Sequence, residues 1–179
     1  ITMQRLVRNT GAGRAFYYIS SAVAGTRVSD WSDDFSTDGQ LYGVNVGPTN
    51  LDGRQVIPTA ACLVDSLDPY SPYGGLFQYI EAAVTGCTLE GWHVESQGAI
   101  NTGEGYAGII PDGVVVDVTG PANTGTYLVP ITLSGGNTAT PGFNLAGNPY
   151  PSAIDWATVV AENAAMIQGS AYLWQSTGF

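Results

Sequence analysis

A chain of 179 residues is long enough for one well-cored domain, and its five Lys+Arg against fifteen Asp+Glu give a formal net charge of -10. All five basic residues are arginines, none lies beyond Arg54 and lysine is absent, which excludes nucleic-acid binding by counterion release and disfavours an anionic membrane surface. Hydrophobic residues reach 44% and charged residues only 11%, with 24 Gly and 10 Pro spread along the length; this punctuation excludes long helices, and no window approaches the ~20 apolar residues of a membrane span.

In chain order, the opening ITMQRLVRNT lacks the apolar run of a signal peptide, and the chain reads as a mature fragment of a larger protein. Residues 2–7 and 14–20 predict strands around a turn at 9–13. The polar stretch 29–39 predicts a loop. Its Asp30, Asp33, Asp34 and Asp38 are hard oxygen donors of the kind calcium prefers, so calcium is the one cofactor suggested, although the spacing does not match an EF-hand loop. A solvated acidic loop is the plainer reading. Residues 41–46 predict a strand, and the proline-rich stretch 48–75 leaves room only for short ones at 56–57 and 61–64. Phe77, Tyr79 and Ile80 favour strand over short helix for residues 76–84. Cys62 and Cys87 stand 25 residues apart. One disulfide, stabilising by roughly 3 kcal/mol, and two buried thiols are equally open.

Further on, residues 92–95 form a short alternating piece, and a glycine-spaced stretch, 101–110, precedes the turn signal Pro111-Asp112-Gly113. Residues 114–119 are the strongest β run, and 126–133 repeat with period two, with Pro130 marking an edge or bulge. One helix is predicted near residues 152–165, with Ser152 as N-cap and Asp155 in capping-box position. The Asn148-Pro149 and Tyr150-Pro151 bonds are candidates for cis peptides. Residues 171–175 read as the start of a strand whose hairpin partner is missing. The expected fold is a single all-β domain over residues 1–179, β-sandwich-like in the jelly-roll or Ig-like manner, with one short helix.

Residues 142–156, Gly-Phe-Asn-Leu-Ala-Gly-Asn-Pro-Tyr-Pro-Ser-Ala-Ile-Asp-Trp, resemble a signature of large surface proteins of Bacteroidetes-type bacteria. In that family the module lies close to a C-terminal sorting domain of the type IX secretion pathway. Gly103-Glu104-Gly105-Tyr106 and the hairpin-like stretch 119–126 are similar to upstream parts of the pattern. The similarity is strong over residues 91–174 and weak before them. It implies an exported or cell-surface scaffold with no catalytic residues assigned to the module. Chemically the signature reads as a corner: Asn144 and Asn148 suit backbone bridging, Gly147 suits a positive φ, and Trp156 suits packing back over the turn.

His93, the single histidine, has Glu90 and Glu95 near in sequence but no nucleophile motif, so a partly buried strand histidine is the favoured reading. Trp31, Tyr70, Tyr73 and Trp92 are the loop-like aromatics that would offer a glycan-stacking platform; core packing is the commoner use of such rings. The expected function is a non-catalytic structural or adhesive module on the bacterial exterior, its partners neighbouring domains or copies of itself. Two rivals are a filament subunit assembled by strand complementation, with residues 1–7 as donor, and a carbohydrate-binding module.

Overall fold

A computed structural model describes residues 1–8, 14–37, 75–83, 91–95, 97–134 and 142–173. Among the described residues, six strands form two antiparallel sheets: β1 (Thr2–Leu6), β2 (Arg14–Ile19), β3 (Gly75–Tyr79), β4 (Trp92–Val94), β5 (Tyr106–Pro111) and β6 (Val115–Thr119). β1 and β6 make a two-stranded ribbon, and the other sheet runs β2-β5-β3-β4. The fold is all-β with one short helix, α1 (Trp156–Glu162).

Strand alternation explains the layering. Along β2, Ile19 joins a core cluster with Leu76, Tyr106, Ile110 and Trp31, and Tyr17 packs against it, whereas Phe16 and Tyr18 turn to the opposite face with Phe77, Ala107, Ile109 and Trp92. The four-stranded sheet is therefore covered on both faces. Val7 and Val116 carry the ribbon into the first cluster, so both sheets feed one core. Val28, Trp31 and Phe35, on the segment after β2, complete it.

Several expectations need correction. The helix starts at Trp156, with Asp155 and not Ser152 as N-cap: the Asp155 carboxylate accepts from the N–H of Ala157 at 3.0 Å and of Thr158 at 3.4 Å. The Ser152 carbonyl instead receives the Asn148 amide at 2.7 Å. Residues 126–133 join neither sheet: Pro130 has no N–H, and the backbone of Thr132 pairs with the side chain of Asn144. β3 ends at Tyr79, and a 3-10 turn follows at Glu81–Ala83. Pro111 closes β5, leaving Asp112 and Gly113 (φ 78°) to turn the chain. Both proline bonds near residue 150 are trans.

The strands expected at 41–46, 56–57 and 61–64, and the pair Cys62 and Cys87, lie outside the described residues. Of the strand expected at 171–175, residues 171–173 are described and are not strand. No helix among the described residues is long and apolar enough to cross a membrane.

Candidate functional site

The signature segment is latched to the β scaffold by its own asparagines. Asn144 donates to the carbonyls of Thr132 (2.8 Å) and Gly142 (3.0 Å) and accepts from the N–H of Thr132 (3.0 Å). Its amide thereby imitates a strand partner for a segment that has none among the described residues. Asn148 accepts from the N–H of Tyr150 at 3.0 Å, an Asx turn that sets the corner before Pro151. Gly105 N–H donates to the Leu145 carbonyl (3.0 Å) and Gly147 N–H to the Gly103 carbonyl (2.9 Å), which stitches the segment to the start of β5. Tyr150 donates to the Gly125 carbonyl at 2.6 Å and stacks edge-on against Tyr127.

Two expectations for this corner change. The positive φ belongs to Gly142 (74°) and not to Gly147. Gly147 is needed for close approach, since a Cβ there would overlap Ser20 and come within 2.6 Å of the Glu104 carbonyl oxygen. Trp156 does not cover the corner: it is 38% exposed, and its indole N–H donates to Gly169 beyond the helix.

Two carboxylates organise the polar contacts beside this segment, and one of them, Glu81, bonds to it directly. Glu81, only 2% exposed, accepts from the Thr132 hydroxyl (2.9 Å), the Ser134 N–H (2.9 Å) and hydroxyl (2.8 Å) and the Gly142 N–H (3.3 Å). Burial opposes its ionisation, but these donors prevail and hold its carboxyl below the ordinary range. Glu104 accepts from Gln78 (2.6 Å), Asn101 (2.9 Å) and Tyr106 (3.2 Å). Burial, with the Glu104 charge beside it, pushes the Tyr106 phenol well above its usual value. Gln78 stands between Tyr106 on β5 and His93 on β4, so the three make a polar row across the sheet. His93 is 2% exposed. The space beside Gln78 and Glu104 is a cleft of about 50 Å³, closed by residues 129–131 and 144–146, and His93 is not among its lining residues. That volume suits water, not a substrate.

Two carboxylates of the acidic loop accept backbone N–H groups. Asp30 accepts from the N–H of Arg27 at 2.9 Å, and Asp34 from the N–H of Asp117 at 2.7 Å, while Asp33 is exposed. Burial and the neighbouring Asp33 and Asp117 charges outweigh that last bond and raise the Asp34 carboxyl. Asp38 lies outside the described residues, among which no group of three His, Cys, Asp or Glu is arranged to hold a metal.

Of the aromatic candidates, Trp31 is not exposed as expected: it is 2% exposed and packs edge-on to Tyr106, because its apolar ring closes the core between the sheets. Trp92 is half-buried between Tyr18 and Tyr79, at centroid distances of 6.2 and 5.1 Å. Tyr70 and Tyr73 lie outside the described residues.

A larger cleft of about 310 Å³ opens between the ribbon and the signature corner, with Met3, Arg5, Ser20, Trp31, Asn148 and Ser152 in its walls. Sequence reasoning missed this cleft and the roles of Glu81 and Glu104. The one local hint was Glu104 set between Gly103 and Gly105, the second of which lets the backbone of Leu145 and Ala146 approach.

A family model described as a domain of unknown function, DUF8693, matches residues 1–178. No curated protein and no solved structure matches the chain.

Proposed function

The chain belongs to the DUF8693 family, and we propose that it serves as a non-catalytic structural or adhesive module of an extracellular bacterial protein, with its two sheets stacked as a sandwich. The observation that carries this reading is the use of the signature side chains. Asn144, Asn148 and Tyr150, and the carboxylate of Glu81 that meets the same segment at Gly142, bond inward to backbone and neighbouring side chains and brace a corner. The common core drawn from both sheets supports the sandwich. An acidic, lysine-free surface suits a salty exterior, where like-charge repulsion is screened. The resemblance of residues 142–156 to type IX cargo modules supports export.

Protease shaving of intact source cells tests the reading. Release of the module before lysis is expected, and protection until lysis overturns it.

The half-buried cluster Tyr18, Trp92 and Tyr79 favours one second reading, a carbohydrate-binding face. A broad glycan array with no signal removes it. Strand complementation with residues 1–7 as donor would require β1 to leave its own β6, against which all five of its residues are in register.

A further inference from the structure

Among the described residues, the outer edge of β1 has no strand partner. Ile1 exchanges hydrogen bonds with Gly120, and Val7 donates to the Val114 carbonyl and accepts from the Gly113 N–H, so the odd-numbered positions face β6. In an antiparallel ladder the alternate residues then direct their N–H and C=O groups the other way. Those residues are Thr2, Gln4 and Leu6, and no described residue bonds to their backbone. The far edge of the ribbon is different, because the Asp34 carboxylate occupies the N–H of Asp117 there. One edge is thus blocked by a charged side chain, a common guard against strand addition, and no described residue blocks the other.

The open strand also has a chemical polarity. Residues 1–8 contain Arg5 and Arg8, both exposed, and no acid. Arg5 and Gln4 line the 310 Å³ cleft, which lies within the size range of ligand clefts. Asp117, also at the cleft, already accepts from the Gln4 amide at 3.3 Å. Leu6 and its cross-strand neighbour Val115 lie on the opposite face of the ribbon from Arg5, and they are 50% and 40% exposed.

We infer that the β1 edge accepts an extended acidic peptide segment of another protein as an added strand, its carboxylates toward Arg5 and its aliphatic side chains toward Leu6 and Val115. A second copy of this chain fits less well, since two β1 edges side by side would bring their arginines together. This pairing names a partner for the module role above; it is read by peptide binding, so its failure would leave the shaving result standing.

The probe is a capped, fluorescently labelled hexapeptide of alternating glutamate and valine, titrated by anisotropy against the whole chain. The expected dissociation constant is below about 1 mM, rising with salt. The lysine–valine analogue is expected to bind at least tenfold more weakly, and Arg5→Glu to reverse that order. Gln4→Pro removes an outward N–H without touching the ladder to β6, and is expected to abolish binding with an unchanged circular dichroism spectrum. N-methylation of the peptide, which leaves the protein unaltered, is expected to do the same. The inference is overturned by any of three results: no binding of the acidic peptide, equal binding of the lysine or N-methylated peptide, or dimerisation of the protein alone that Gln4→Pro abolishes.

Discussion

The carboxylate of Glu81 accepts both the backbone N–H and the hydroxyl of Ser134, at 2.9 and 2.8 Å. Through Thr132 and Gly142 the same group fastens both ends of the described backbone around residues 135–141 to the end of β3. Because the folded carboxyl is held below its ordinary value of 4.5, the clamp contributes stability that is fully present above that pH and is lost as pH falls through the folded value. Melting temperature followed from pH 7 to pH 3 is expected to fall below pH 4.5, and less so in Glu81→Gln. At pH 7 the Gln variant presents an NH2 where donors converge. Amide exchange at Ser134 and Gly142 is expected to quicken by about tenfold, the scale of one charge-assisted hydrogen bond. An unchanged pH profile in the variant would disprove the clamp.

Gly147→Ala puts a methyl group against Ser20 and the Glu104 backbone, neither of which is the end of a flexible chain. Urea denaturation is expected to show a loss of about 3 kcal/mol, the upper range for overpacking. Ser20→Gly removes one of the two obstacles, so the double variant recovers part of the loss. Gly125→Ala has open space and only a φ of 85° to oppose it, and is expected to cost about 1 kcal/mol. Equal losses at the two glycines would refute the close-approach explanation.

Short-range pattern made the strands legible: alternation over β1 and β2, the valine run of β6 and the aromatics of β3 all appear in the sheets. It misjudged residues 126–133, where the same period-two pattern is present but Pro130 and a side-chain partner replace a ladder. The helix boundary failed by three residues because both Ser152 and Asp155 are good N-caps, and only tertiary context shows the Ser152 carbonyl engaged by Asn148. The clamp at Glu81 was illegible for a different reason. Its partner Thr132 stands 51 residues away in sequence, and no local signal encodes such a pairing. Glu104 combines two near partners, Asn101 and Tyr106, with Gln78, 26 residues away. The asparagines of the signature could be read, since Asn in a Gly/Pro setting has few uses other than bridging backbone.

Asn144 is expected to tolerate neither truncation nor charge. It donates twice and accepts once, so Asn144→Asp places a carboxylate oxygen against the Thr132 and Gly142 carbonyls it now serves. Both Asn144→Ala and Asn144→Asp should cost ~1–3 kcal/mol by denaturant unfolding, with Asp no milder than Ala. Recovery of wild-type stability by Asp would show that only the acceptor matters and would sink the strand-mimic account of this residue.

Trp31 and Trp92 separate core packing from glycan contact. Trp31→Ala empties a site sealed by Tyr106 and is expected to destabilise by ~3–5 kcal/mol. Any loss of sugar binding in that variant would report unfolding. Trp92 is half-buried at the sheet surface, so Trp92→Ala sacrifices ring contacts with Tyr18 and Tyr79 while the main core cluster is untouched. If the aromatic face binds carbohydrate, Trp92→Ala abolishes array binding at a temperature where circular dichroism still shows the native fold. Retained binding by folded Trp92→Ala would exclude that face as the sugar platform, leaving its rings to act as the cover of the second core cluster.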